Sequence, residues 1–392
     1  MQIVQMIRRQ ASALLVQMSK GFPVVALTGP RQSGKTTLAR QAFPDKPYFS
    51  LEDPEIRQRL AADPRQFFAI LPSGAVLDEV QRCPEVFSYL QGVVDERERM
   101  GEFVITGSQQ FGLLDNITQS LAGRVGLLQL LPLSLAELTA TGMNARTLEQ
   151  TVWMGGYPAL FDQRRQLEQP AQWLSAYAST YIERDVRQVL EVSKLSLFQR
   201  FVLMCAARTG QLLNLSTLAA DCGISHTTAR SWLTVLEASY VVYLLQPYHK
   251  NFGKRLVKMP KLYFLDTGLL CHLLRIDSPQ TLATHALRGA IFESWVVSET
   301  LKHRFNQALP ADIYFWRDNH GVEVDLVFEH AGKLHAVEIK SGATFATDWV
   351  NACQRWQRYA GAVAADPVLV YGGQESYSVQ GVQVRAWHTL GT

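Results

Sequence analysis

The sequence predicts an α/β protein: a parallel sheet flanked by helices, then a helical stretch, a helix-turn-helix and a second, smaller α/β unit. Three observations carry this. A short apolar run rich in β-branched residues, Val24-Val25-Ala26-Leu27, leads into Gly29-Pro30-Arg31-Gln32-Ser33-Gly34-Lys35-Thr36 and then a helical stretch. Further apolar runs end in polar residues at Asp78-Glu79 and at Ser108-Gln109, alternating with helical patterns as a parallel sheet requires. Near the C-terminus two alternating strands follow one another around Gly332, and Glu338 and Lys340 stand two residues apart on the second.

A chain of 392 residues exceeds one ordinary core, so two or three domains are expected. The balance of 47% hydrophobic and 19% charged residues is that of a globular protein, without a disordered signature. The net charge of +3 is too mild to argue for nucleic acid by itself. The cysteines (Cys83, Cys205, Cys222, Cys271, Cys353) form no C-x-x-C pair and no zinc spacing, which fits reduced thiols in a cytoplasmic protein. The first ten residues lack the apolar core of a signal peptide. No apolar run reaches membrane-spanning length: the best, Val125 to Leu138, is interrupted by Gln129, Pro132, Ser134 and Glu137. No membrane partner is expected.

Taken in order, Ile7 to Met18 has helical spacing and is expected against a sheet edge. Gly29 to Thr36 has the form G-x-x-x-x-G-K-[ST], whose glycines let successive backbone N–H groups turn onto one phosphate at a helix N-terminus. The residues from Gly29 through Thr37 are then nucleotide contacts: Lys35 meets the β- and γ-phosphates and the Thr36 hydroxyl ligates Mg²⁺. Thr37 to Phe43 continues as a helix with Leu38, Ala42 and Phe43 inward, and Tyr48 to Leu51 reads as a second strand. Ala75-Val76-Leu77-Asp78-Glu79-Val80-Gln81 is an apolar strand ending in two carboxylates. Asp78 is expected to hold Mg²⁺ through its water shell, and Glu79 to orient and deprotonate the attacking water. Glu102 to Gln109 is a further strand, whose Ser108 or Gln109 is a candidate sensor of that water or of the phosphate. Arg124 precedes the strand Val125 to Leu131. It either reaches a neighbouring subunit's γ-phosphate as an arginine finger in a homo-oligomer, or caps the preceding helix on the surface.

The combination of Gly29 to Thr36, Leu77-Asp78-Glu79-Val80-Gln81, Ile105-Thr106-Gly107-Ser108 and Leu121-Ala122-Gly123-Arg124 resembles a widespread prokaryotic family of AAA-type ATPases. Met154-Gly155-Gly156-Tyr157-Pro158 and Tyr181-Ile182-Glu183-Arg184-Asp185 resemble that family's small helical segment after the sheet, so the likeness spans nearly the whole chain. The resemblance implies ATP rather than GTP, and no settled biological role.

Four parts are expected: an ATPase core over 1–134, a helical lid over 135–194, a winged helix over 195–265 and a last α/β domain over 266–392. In the third, Leu215 to Ser225 followed by His226 to Leu236 reads as a helix-turn-helix. Ala219 is small at the crossing, Gly223 lies at the turn, and Ile224, Leu233 and Leu236 face inward. Strands at Tyr240–Leu245 and Leu262–Leu265 flank a wing, His249 to Arg255. On DNA, Thr227, Thr228, Arg230 and Ser231 would face the duplex and the wing lysines the phosphates. Between Leu195 and Lys261 stand eight Lys and Arg against two Asp and Glu, a local basic excess in a nearly neutral chain. The alternative is a packing module with a solvated hairpin.

In the last part, Arg288 to Glu299 is an amphipathic helix and Ile313 to Arg317, Gly321 to Phe328 and Leu334 to Ser341 are strands. Asp325 and Glu338 lie thirteen residues apart, a spacing that suits a hairpin; Glu338 and Lys340 share a face while Ile339 enters the core. The arrangement resembles the PD-(D/E)xK nuclease core. That resemblance implies Mg²⁺ or Mn²⁺ on Asp325 and Glu338, a positioning role for Lys340, and Glu293 as the additional carboxylate. Some relatives of that kind carry a Gln and a Tyr on the next helix; Gln354 and Tyr359 stand there with a looser spacing than Q-x-x-x-Y.

The leading reading is an ATP-hydrolysing protein acting on nucleic acid, DNA favoured, whose ATPase gates a metal-dependent nuclease-like domain. A second is a nucleotide-driven regulatory switch, with a DNA- or protein-binding winged helix and an inert nuclease-like scaffold. A third is a motor acting on protein.

Overall fold

The computed structural model describes residues 7–108, 120–142, 146–162, 170–182, 195–248, 258–318 and 321–390. Its first sheet comprises β1 (Val24–Thr28), β2 (Tyr48–Ser50), β3 (Ala75–Asp78), β4 (Phe103–Gly107) and β5 (Val125–Gln129), in the order β2-β3-β4-β1-β5. Every pairing is parallel. β1, β3 and β4 are buried at every residue, as central strands covered on both faces must be. Alternation sorts their side chains. Val25, Leu27, Val76 and Val104 pack under the helices Ala11–Met18 and Lys35–Ala42 through Leu15 and Leu38. Val24, Ala26, Leu77 and Phe103 pack on the other side against Phe67, Phe68, Phe87 and Leu90. Parallel strands carry their C-terminal ends to one edge, where loop, carboxylates and Ser108 meet.

Beyond β5 the chain enters the short helix Leu135–Thr139, capped reciprocally by Ser134 and Glu137. The helices Leu148–Met154 and Pro170–Tyr177 follow, with Pro158–Leu160 as a single 3₁₀ turn between them. The described part of 135–194 is thus mainly helical. Three helices come next, Leu195–Ala206, Leu215–Cys222 and His226–Ala238, then the antiparallel strands β6 (Val242–Pro247) and β7 (Lys261–Phe264). Gly223 closes the middle helix in the left-handed conformation (φ 70°), and Asn214 and Ser225 cap the two helices of the turn. The expected wing, His249 to Arg255, lies outside the described residues, as do Gln109 and Glu183-Arg184-Asp185.

A second sheet adds β8 (Tyr314–Arg317), β9 (Glu323–His330), β10 (Lys333–Lys340), β11 (Val368–Tyr371), β12 (Tyr377–Val379) and β13 (Val382–Ala386), in the order β12-β13-β11-β10-β9-β8-β6-β7. Because β6 pairs in parallel with β8, the hairpin that ends the three-helix unit is joined to the C-terminal sheet across the boundary expected at 265. The helix Arg288–Asn306 packs through Ile291 and Trp295 with Leu326 and Ile339, and the helix Val350–Ala360 packs Trp356 against Trp316 and Ala336. Among the described residues no helix is long and apolar enough to cross a membrane.

Candidate functional site

The loop Gly29–Thr36 sits between the end of β1 and the helix Lys35–Ala42, as its motif predicts. Gly29 has φ 149°, and a Cβ there would stand 2.1 Å from the Leu130 carbonyl oxygen, so its glycine is demanded by packing against the chain leaving β5. Gln32 (φ 63°) and Gly34 (φ 93°) give the loop its left-handed turns. The buried Lys35 ammonium donates to the carbonyls of Gly29 (3.0 Å) and Pro30 (2.8 Å). The Ser33 hydroxyl is fully buried and without a partner, a donor the loop can offer an anion.

Asp78, at the end of β3, gathers hydroxyls. It accepts from Thr36 (2.9 and 3.0 Å to its two oxygens), from Tyr48 (2.7 Å) and from Thr106. Burial, together with that bond to Asp78, pushes the Tyr48 phenol above its ordinary pKa. Glu79 adopts the left-handed conformation (φ 55°, ψ 47°), uncommon outside glycine and a frequent mark of functional positions. That turn directs its carboxylate to Ser108, which donates to Oε2 at 3.0 Å. Gln81 completes a triangle, donating to Glu79 Oε2 and to Ser108 Oγ at 3.2 Å. Lys35, Thr36, Asp78, Glu79 and Ser108 are therefore gathered where the loop meets the ends of β3 and β4. Thr106, Tyr48 and Gln81 lie in or beside the predicted strands, but their roles follow only from the fold.

Arg9 is a further residue that local sequence does not single out. It is 6% exposed and donates to the Ser33 carbonyl of the loop (2.6 Å), the Leu131 carbonyl (2.7 Å) and Glu137 (3.0 Å). The motif Gly155-Gly156-Tyr157-Pro158 closes on the same place. Gly156 N–H donates to buried Asp266 (2.8 Å), Tyr157 bonds Tyr177, whose hydroxyl donates to the Arg31 carbonyl (3.4 Å), and Pro158 Cγ would lie 3.8 Å from a Cβ at Gly34. Arg124 is not brought to this chain's loop. It sits at the opposite end of the sheet, before β5, where its exposed guanidinium pairs with Asp95 at 2.5 and 2.9 Å.

A second cluster lies in the C-terminal sheet. β9 and β10 are joined by Ala331 (φ 50°) and Gly332 (φ 75°), the positive-φ pair of a two-residue hairpin turn. Their register carries Val337 opposite Leu326; one step further sets Asp325 opposite Glu338 on one face of the sheet. Asp325 accepts from the Ile339 N–H (2.8 Å), Lys340 donates to Glu338 (2.5 Å), and Ile339 points into the core as expected. Asp325 and Glu338 are 8% and 6% exposed. Burial, then the Asp325 charge, raises the carboxyls of Glu338 and Glu293 well above the ordinary carboxylate range. Glu293 enters on the helix Arg288–Asn306 and Glu323 on β9; these two and Asp325 can each offer an oxygen within 4.8 Å of the others.

Lys261, from β7, reaches this cluster. Its ammonium, 4% exposed, donates to Glu293 (2.9 Å), pairs with Glu323, and lies 3.8 Å from Asp325. Burial opposes its charge, but Glu293, Asp325 and Glu323 hold its pKa above the ordinary value. Tyr263 donates to the same Glu293 oxygen. Of the basic residues counted between Leu195 and Lys261, Lys261 is internal and paired with Glu293, and Arg208 pairs with Asp221. Gln354 donates to Gln380 (3.2 Å), and the Tyr359 ring centroid lies 5.4 Å from that of Trp316.

A five-stranded parallel sheet with a G-x-x-x-x-G-K-T loop after β1 and Asp-Glu at the end of β3 defines an AAA-type P-loop ATPase domain. An AAA domain family model matches residues 21–139. Two domains of unknown function, DUF8612 and DUF4143, match 145–280 and 288–389. Uncharacterised proteins of Mycobacterium bovis and Mycobacterium tuberculosis are each 35% identical over 339 residues, covering 86% of this chain and 74% of theirs. The chain belongs to the family of these proteins. Among solved structures, a Walker-type ATPase of Pyrococcus abyssi is similar at 14% identity and a TM-score of 0.46, covering 69% of this chain and 96% of that one.

Proposed function

We propose that the protein binds and hydrolyses ATP at Gly29–Thr36 and that this activity governs a metal-dependent site, centred on Asp325, Glu338 and Lys340, that cleaves nucleic acid, DNA favoured. At the first site Lys35 exchanges its carbonyl partners for phosphates and Thr36 and Asp78 supply oxygens for Mg²⁺. Glu79, held by Ser108 and Gln81, takes the proton of the attacking water.

The observation that carries the second half is the buried carboxylate pair. Asp325 faces Glu338 across the hairpin, and Glu338 Oε2 is buried with no hydrogen-bond partner. Hard oxygen donors with one left unsatisfied fit Mg²⁺ or Mn²⁺. Bound there, the ion would polarise a phosphodiester and acidify a water. Lys340, donating to Glu338 and about one-third exposed, can turn its ammonium to that water or to the developing charge. In the three-helix unit, Thr227, Arg230 and Ser231 are exposed on the helix His226–Ala238, which supports a winged-helix role in holding the duplex. A finger role for Arg124 would need an oligomer in which it exchanges Asp95 for a neighbour's nucleotide.

One observation favours the regulatory switch instead: Lys261 already neutralises part of the cluster, as an inert scaffold would require. Purified protein with ATP and Mg²⁺ or Mn²⁺ decides. DNA cleavage by the wild type, at least 100-fold slower in Lys340→Ala with ATP turnover within twofold, is the expected result. Cutting that survives this substitution removes the site assignment. A salt-dependent DNA complex with no cleavage in any divalent metal selects the switch.

A further inference from the structure

The carboxylate cluster divides into two halves with different fates. On one side, Glu293, Glu323 and Asp325 offer oxygens close enough to share one ion, but an ammonium already stands among them. Lys261 cannot retreat easily. Its strand pairs with β6 and bridges to Leu212, and its Nζ lies 5.6 Å from the centroid of the buried Phe315 ring. Withdrawing it would leave an uncompensated buried charge, and three carboxylates would face one another unscreened. Tyr263 and Arg317 finish the arrangement: the first donates to Glu293, the second to the other oxygen of Glu323, Oε2, at 3.0 Å. On the other side, Glu338 Oε2 is buried and unpartnered beside Asp325.

We propose that Lys261 is the resident cation of this cluster, standing where a second metal ion would bind and restricting the site to one divalent ion on Asp325 and Glu338. Glu293 and Glu323 are then positioning residues that seat Lys261, and Glu293 is not a metal ligand. The inference rests on the metal-dependent reading above and deepens it. It also gives the β6–β7 hairpin a part in the chemistry, because the strand that leads out of the three-helix unit supplies the charge that sets the metal stoichiometry.

The test is Mn²⁺ binding by the full chain, read by electron paramagnetic resonance of the free ion, with Asp78→Asn in every protein to silence the nucleotide site. The background protein should bind one Mn²⁺, lost in Glu338→Gln. Glu293→Gln should leave stoichiometry unchanged and affinity within threefold. Lys261→Met should bind a second ion, and adding Glu293→Gln to it should remove that ion again. Two ions in the background protein, a tenfold weakening by Glu293→Gln, or a single ion in folded Lys261→Met each overturn the role of Lys261 and leave the metal-dependent reading standing. The Glu293→Gln arm decides even where Lys261→Met fails to fold. No Mn²⁺ in any of the proteins overturns both.

Discussion

Gln81 shows how a neutral side chain serves a hydrolytic site. It bonds both Glu79 and Ser108, so under the proposed hydrolysis it would fix the angle at which the carboxylate meets a water, without touching the Lys35 or Asp78 bonds. Gln81→Ala should lower the turnover of ATP about tenfold while changing the Kd for ATP less than threefold, measured by single-turnover hydrolysis and nucleotide titration. Equal losses in both would place Gln81 in binding. Asp78, Glu79 and Ser108 are legible in the sequence because each ends an apolar run at the same edge of a parallel sheet. The role of Gln81 is not, because it depends on the left-handed backbone at Glu79. Lys261 is the opposite case. By sequence it joins a basic excess, and the fold buries it among carboxylates more than thirty residues away. Charge counting reports composition, and composition does not say which side of a strand faces inward.

Among the elements, the helix His226–Ala238 combines an exposed face with a half-buried acid, Glu237. Burial raises the Glu237 carboxyl from 4.5 to about 7. The sign follows. Below about pH 4.5 the group is protonated both folded and unfolded and contributes nothing; between 4.5 and 7 only the unfolded chain ionises, so a penalty grows, and above 7 it is constant. Glu237→Gln should therefore match the wild type in urea unfolding at pH 4 and exceed it by about 1–3 kcal/mol at pH 8. A gain of equal size at both pH values would show that the effect is not ionisation. The helix-turn-helix itself is legible in the sequence, since Gly223 lies at the turn and Leu233 and Leu236 face inward. The joining of β6 to β8 is not: two residue pairs, Gln246–Tyr314 and Pro247–Phe315, merge the hairpin with a sheet whose other strands lie some seventy residues on.

At the scale of the whole molecule, the helix Arg288–Asn306 connects the carboxylate cluster to the segment that follows β5. Glu293 near its start belongs to the carboxylate cluster. Nearer its end Glu299 accepts from the Leu135 N–H (2.7 Å) and Lys302 donates to the Leu133 carbonyl (3.0 Å). That same segment holds Arg9 through Leu131 and Glu137, and Arg9 donates to Ser33 of the phosphate loop. Buried hydrogen bonds therefore connect the loop to the end of this helix, and residues 293 and 302 lie about 13 Å apart along its axis. Under the proposed coupling, nucleotide at the loop would act on the cluster through these bonds. The most direct measurement is DNA cleavage in Mn²⁺, with and without ATP, by the wild type, Lys35→Ala and Lys340→Ala. Cleavage that requires ATP in the wild type, is lost in Lys35→Ala, and is lost in Lys340→Ala while ATP is still hydrolysed is the expected result. Cleavage equal in all three proteins, or none by the wild type in any divalent metal, would contradict a nucleotide-governed phosphodiesterase.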